Sequence, residues 1–214
     1  NKSSAGRHRN AILRAEAERL TKIGSDDPII VAGSTGSIPA AADLIASVAS
    51  LPQGTVVLPG LDIEMPEDQW QSINESPDDP SSRTHSQYGL FVLLQKLGVS
   101  RNEAEQIGML DSDLQNRAAI FSTALAPAKA TSEWNEWRSE KSDAFFNDAF
   151  ENASIIEAAN EREEATAIAI ALRLALEKPG TAGQSQAALI TPDRGLARRV
   201  ATELARFGIE ADDS

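Results

Sequence analysis

The apolar positions Ile12, Leu13, Ala17, Leu20 and Ile23 recur near helical spacing with charges between them, which predicts an amphipathic helix over 8–22. The period then changes. Pro28–Ala32 is an all-apolar, β-branched run that suits a short strand buried on both faces, and Thr55–Pro59 is a second such run. Between them Gly33–Gly36 turn the chain, Ser37 stands as an N-cap, and Pro39 falls in the first turn of a helix that reaches about Ser50. Strand, helix and strand in that order predict a parallel pair.

Residues 62–150 have another character. Pro66, Pro77 and Pro80 interrupt an acidic, Ser-rich stretch, with Asp78-Asp79-Pro80-Ser81-Ser82 as the flexible loop, and helical patterns follow around 86–98, 101–107, 111–125 and 131–150. From Ala153 an alternating rhythm resumes: strand 153–158, helix 161–177, a loop at 179–184, strand 187–191, helix 193–207 and strand 209–212. Asn160 followed by Glu163 is a capping-box arrangement for the first of those helices. The pattern as a whole predicts an α/β chain with parallel strands around a helical insertion. Composition shifts near 62 and 150 divide it into residues 1–62, a mainly helical 63–150, and 151–214.

Composition excludes several chemistries. The chain has 214 residues and no Cys, so disulfides, thiolate metal sites and iron–sulfur ligation are impossible within it. No apolar run approaches the length of a membrane helix, and no leader pattern is visible, which predicts a cytoplasmic protein without a membrane partner. The chain begins at Asn1 rather than Met and stops just after the last expected strand, which reads as a fragment.

The net charge of −12 is unevenly spread. Residues 1–22 carry six cations against two carboxylates, whereas 23–82 contain no Lys or Arg at all. A stretch without cations cannot clamp a nucleic-acid backbone by itself. It reads as a solvated acidic surface, or as a face that docks on a basic partner.

Two turns carry the candidate chemistry. Gly33-Ser34-Thr35-Gly36-Ser37 lies between a strand and a helix, where backbone N–H groups and the helix dipole can hold a phosphate. A nucleotide-hydrolysing loop of the GxxxxGK[ST] type needs a Lys there, and the next Lys is Lys96. The simplest reading is a strand-to-helix turn with a Ser cap; the second is a contact with phosphate through Ser34, Thr35 and Ser37. Thr191-Pro192-Asp193 resembles half of a restriction-type nuclease core, yet no downstream acid is followed two residues later by Lys. Asp193 then reads as a helix start. In the following helix Leu196, Val200, Leu204 and Phe207 face inward, Arg194 and Arg198 share an outer face, and Arg199 and Arg206 share another. Trp70, Trp134 and Trp137 read as core or docking aromatics. His8 and His85 are too isolated for a metal site or a triad.

Several of these segments together resemble the helicase-like half of the AddB family of the alphaproteobacterial type, whose members partner AddA in double-strand break repair. The resemblance runs through 28–62, with Ala32-Gly33-Ser34-Thr35-Gly36-Ser37-Ile38-Pro39 and Leu58-Pro59-Gly60-Leu61-Asp62, around Gln87-Tyr88-Gly89-Leu90, and from 153 to the end, with Ile156–Ala165 and Ala187–Arg198. In UvrD-type superfamily 1 motors the first of these positions reads Gly-Asp-x-x-Gln-Ser-Ile-Tyr and the second Asn-Tyr-Arg-Ser. Here the acid, the Gln and the Arg are missing. In active motors that Arg neutralises charge on the γ-phosphate.

The resemblance implies an inactivated motor: RecA-like, P-loop-helicase-like parallel-sheet segments, with 1–62 ending one degenerate domain and 151–214 opening the next. It implies no catalytic residue in this segment. It also implies weak single-stranded DNA contact through Ser34, Thr35, Ser37, Thr191, Asp193, Arg194 and Arg198 in support of Chi scanning, docking on AddA, and a nucleoid-associated place in the cytoplasm. ATP with Mg²⁺ and the iron–sulfur cluster would belong to other parts of that helicase-nuclease. The alternatives are an independent α/β domain or small enzyme binding an anion or nucleotide at the Gly33–Ser37 turn, and a pure docking module that binds AddA through its acidic surface.

Overall fold

The computed structural model describes residues 2–74, 83–178 and 185–212. The loops expected at 78–82 and 179–184 lie outside the described residues. The chain forms two compact units, Asn1–Asn152 and Ala153–Ser214.

The first unit opens with α1 (Lys2–Ile23), then β1 (Ile29–Ala32), α2 (Pro39–Ala49) and β2 (Gly54–Val57). The two strands pair in parallel, Ile29 beside Gly54 and Ala32 beside Val57, as the strand, helix and strand pattern predicts. Ser37 does not cap α2. Ile38 takes the N-cap position without a side-chain bond, and Pro39, which has no N–H to satisfy, opens the helix. One face of the strand pair packs on α2, where Ala42 and Ile45 meet Leu93 with Val31 and Val56 beside them. The other face is open, with Ile30 67% exposed. The strand burial is therefore one-sided, not two-sided as the all-apolar run suggests.

Among the described residues this unit continues with α3 (Glu67–Ser72), α4 (Tyr88–Leu97), a 3₁₀ turn at Arg101–Glu103, α5 (Ser112–Ala124), a second 3₁₀ turn at Ala128–Glu133, α6 (Trp134–Glu140) and α7 (Asp143–Phe150). The helix expected over 101–107 is only that first turn, closed by a capping box between Ser100 and Glu103. The helix expected over 131–150 is broken at Lys141, whose backbone is extended, and restarts where the Ser142 hydroxyl accepts from the Phe145 N–H. Met65, Trp70, Ile73, Phe91 and Leu94 form a second core, against which Leu58 and Leu61 pack. Contacts thus run across residue 62 without a break. Asn116 donates to Asp148 at 2.7 Å and the Arg117 Nε to the Ala149 carbonyl at 2.8 Å, fastening α5 to α7.

The second unit is a helix pair, α8 (Glu161–Glu177) and α9 (Arg194–Arg206). Alanines 165 and 169 let α9 approach closely with Leu196, Val200 and Leu204, and Leu189 and Ile209 close the edges. Glu161 at the start of α8 pairs with Arg199 early in α9, while Arg173 lies over Phe207 past the end of α9, so the two helices run in the same direction. Asn160 Oδ1 accepts from the N–H groups of Arg162 and Glu163, and the Glu163 carboxylate takes the Asn160 amide and the Ala159 N–H. This is the expected cap with Glu163 reaching one residue further back. Asn160→Ala is expected to cost this unit about 1 kcal/mol, seen as faster hydrogen exchange of the Ala165 and Ala169 amides, while Asn160→Ser stays near the parent.

The α/β, RecA-like class does not describe this chain. Helix accounts for 59% of it, and the only sheet among the described residues is the β1–β2 pair. Segments 153–158, 187–191 and 209–212 are not strands. Their β-branched composition is that of strands, but a strand exists through its ladder and cover, and here Ile155 is 94% and Ile190 96% exposed. Local propensity without a hydrogen-bonded neighbour leaves irregular backbone. The RecA-like labels on 1–62 and 151–214 fall with the sheet they require.

Candidate functional site

The residues behind the resemblance in the first unit converge at the ends of β1 and β2 where the chain leaves both strands. The Gly33 N–H donates to the Val57 carbonyl at 3.1 Å, extending the parallel ladder into the turn. Gly36 has φ +65°, and a Cβ there would lie 2.9 Å from a Leu93 methyl, so this glycine meets both a left-handed backbone and the close approach of α4. Gly89 lies beside Thr35, where a Cβ would make an ordinary van der Waals contact at 3.9 Å. One residue before α4, the Gln87 amide donates to the Gly60 carbonyl at 3.0 Å and accepts from the Asp62 N–H at 3.1 Å. Three segments far apart in sequence therefore form one assembly around the turn.

Within that assembly the turn spends one of its own donors on a side chain. Ser34 Oγ accepts from the Gly36 N–H at 3.3 Å, which consumes a donor that a ligand would need. Thr35 and Ser37 are exposed, and α2 starts two residues beyond Ser37. Asp62 Oδ1 accepts from the Glu64 and Met65 N–H groups, an Asx turn that aims its carboxylate at its own backbone.

Sequence reasoning missed Arg101. The cation-free run 23–82 receives a guanidinium from this distant residue, whose side chain is 5% exposed. Its Nη1 donates to the carbonyls of Asp62 at 3.0 Å and Met65 at 2.7 Å, its Nη2 to Glu67 at 2.9 Å, and its plane lies 5.0 Å from the Trp70 ring centre. Those bonds use the fork inward, so Arg101 ties a loop and does not act as a cationic finger. The only forewarning in the sequence is the Ser100 to Glu103 capping spacing, which locates the turn and says nothing of where Arg101 points.

In the second unit the expected residues sit where α8 and α9 begin side by side. The Asp193 N–H donates to Thr191 Oγ1 at 3.1 Å, and Asp193 Oδ1 accepts from the Gly195 N–H at 2.6 Å, which makes Asp193 the N-cap of α9. Arg199 is clasped between Glu161 at 3.2 Å and Asp193 at 3.7 Å. Glu161, Glu163 and Glu164 already supply negative charge to the positive end of α8. Arg194 and Arg198 are different: both are exposed and have no ion-pair partner among the described residues. Leu196, Val200 and Leu204 face inward as expected, whereas Phe207 is 37% exposed. Thr191 and Asp193 thus serve the fold, and Arg194 and Arg198 are the side chains of that set left for a ligand. Ser34, Thr35 and Ser37 lie in the other unit.

Trp70 is core, tilted against Phe91 with ring centres 5.3 Å apart. Trp137 meets Phe145 and Phe146 edge-on, and the Trp134 indole donates to the Thr123 carbonyl at 2.9 Å. His85 accepts from the Gln87 N–H through Nδ1, and its Nε2 lies 2.8 Å from the Leu125 carbonyl, which gives the ring a structural role. On α1 the Arg19 guanidinium bonds Glu16 at 2.7 and 2.9 Å and holds that carboxyl below the usual carboxylate range. No group of three or more His, Asp or Glu among the described residues could hold a metal ion, and no described helix is long and apolar enough to cross a membrane.

Compared with protein-family models, curated proteins and solved structures, the chain gives no match in any of the three.

Proposed function

We propose that this chain is a non-catalytic segment of the AddB type, which contacts single-stranded DNA weakly and supports Chi scanning in double-strand break repair by an ATP-driven helicase-nuclease. The observation that carries the reading is the pair Arg194 and Arg198, exposed and unpaired on one face of α9 while the remaining groups of that region are consumed by caps and ion pairs. Its second support is the assembly of Gly33–Pro39, Leu58–Asp62 and Gln87–Leu90, the segments that resemble the family, around a turn that holds no cation. In this reading ATP, Mg²⁺ and the iron–sulfur cluster serve other parts of the complex, the partner is an AddA-type subunit, and the setting is the cytoplasm at the nucleoid.

The test is fluorescence anisotropy with a labelled thymidine oligonucleotide. Arg194→Ala with Arg198→Ala is expected to weaken binding by about tenfold and to flatten its salt dependence, since two phosphate contacts are lost. Unchanged affinity removes the arginine pair from the reading, and DNA-stimulated ATP hydrolysis by the chain removes the reading itself.

A second reading, docking on an AddA-type subunit without DNA contact, is favoured by the apolar side chains that the second unit leaves uncovered, Ile155, Ile156 and Ile190. Pull-down of purified AddA that fails for Ile155→Lys with Ile190→Lys, and that persists for the arginine variant, would select it.

A further inference from the structure

The first unit has a cationic groove that the reading above does not use. It lies between α1, α2 and α4, has a volume of about 390 Å³, and its charged lining is Arg14, Glu18 and Lys22 from α1, Asp43 from α2 and Lys96 from α4. Thr21 and Ser47 line it with hydroxyls 3.1 Å apart. Asp43 of α2 takes two of these cations. Lys96 bonds Asp43 Oδ1, and Arg14 Nε lies 4.0 Å from Asp43 Oδ2, so cations from two other helices converge on the two oxygens of one carboxylate.

We infer that this groove binds the phosphodiester backbone of a single-stranded nucleic acid through Arg14, Lys22 and Lys96, and that Asp43 occupies the phosphate position when no ligand is bound. A carboxylate and a phosphate offer the same feature to these cations, two oxygens sharing negative charge. All three members of the Asp43 cluster remain between 38% and 60% exposed, so a ligand can reach them without opening a core. Lys22 is held only by Glu18 at 3.5 Å, with both side chains mostly in water, and such a pair contributes little against a competing phosphate. Arg14 and Lys22 are eight residues apart, about 12 Å along α1. That is too far for one inorganic phosphate and suits a chain of them. A protein with net charge −12 repels nucleic acid at long range, so contact requires a local concentration of cations, and α1 lies in the one stretch where cations outnumber acids by six to two.

The inference takes its ligand class from the proposed DNA reading but not its residues. The test is the same anisotropy titration with the full chain, at about 50 and 200 mM salt. Arg14→Ala, Lys22→Ala and Lys96→Ala combined are expected to weaken binding at least about tenfold, and to reduce the log–log salt slope by about 2, given about 0.7 per phosphate contact on single strands. Asp43→Asn, which frees Arg14 and Lys96, is expected to tighten binding several-fold. A triple variant with parental affinity and slope, or an Asp43→Asn variant that binds no more tightly, overturns the groove. So does saturation of the Arg14 Nε–H resonance by micromolar inorganic phosphate with no oligonucleotide effect, which would make it a small-anion site. Loss confined to the Arg194 and Arg198 variant overturns the groove and leaves the α9 contact standing, and loss confined to the triple variant does the reverse.

Discussion

Replacing Arg101 by Ala is expected to destabilise the first unit by about 3 kcal/mol, the scale for leaving buried carbonyls unsatisfied at about 1–3 kcal/mol each. The substitution leaves the carbonyls of Asp62 and Met65 without their donor, releases the half-exposed Glu67 carboxylate to water, and opens a void beside Trp70. Tryptophan fluorescence during urea unfolding isolates the effect, since Trp70, Trp134 and Trp137 all lie in the first unit. Glu67→Gln should lower the same midpoint far less, because Glu67 is half exposed and the two carbonyl contacts survive. Arg101→Lys is expected to resemble the Ala variant, as one ammonium cannot span the two carbonyls and the carboxylate that the planar fork reaches together. A fluorescence midpoint for Arg101→Ala within error of the parent would show that the loop holds without it.

Gly54→Ala is expected to be as damaging, by about 3 kcal/mol or more, through backbone collision and not through lost contacts. A Cβ at this position would stand 1.8 Å from the Val48 carbonyl oxygen and 3.1 Å from Leu51 Cβ. Gly54 opens β2, pairs with Ile29, and donates to the Leu51 carbonyl at 3.1 Å. Relief of the collision therefore requires the end of α2 and the start of β2 to separate, which unzips the parallel pair. Gly60→Ala gives the contrast. That glycine has φ +60° with open space around it, so only the left-handed strain of about 1 kcal/mol is expected. The two variants compared by the same fluorescence midpoint separate steric from conformational cost, and equal shifts would contradict this account of Gly54.

Much of the local structure is legible in the chain. The helix 161–177 has its cap in Asn160, its acids in the first turn, and its span as the spacing predicts. The parallel pair 29–32 and 54–57 follows from two β-branched runs around a helix opened by Pro39. What misleads is the second half: 153–158 and 187–191 carry strand composition, and the AddB-like motif spacing makes a sheet the natural expectation. A ladder cannot be read from one of its sides, and no neighbouring strand among the described residues completes it.

The candidate site divides in the same way. That Arg194 and Arg198 share an outer face follows from their spacing of four on a helix. That Arg199, their neighbour, is unavailable does not follow, because its partners Glu161 and Asp193 come from the other helix start and from the cap. Ser37 looks like a cap from its place before Pro39, yet α2 begins one residue later than that role requires.

The helix 161–177 with its Asn160 cap, the helix start at Asp193 and the lack of a Lys near Gly33–Ser37 are properties of the sequence itself, since propensity, capping and composition act over a few residues. Which cations are free and which are spent was decided by the tertiary structure alone. Arg101 enters the core beneath Asp62, Lys96 and Arg14 close on Asp43, and Arg199 joins two helix starts, each through contacts between residues 25 or more positions apart or between different helices. Charge pairing depends on distance in space, and a linear pattern holds no record of that distance once the chain has turned.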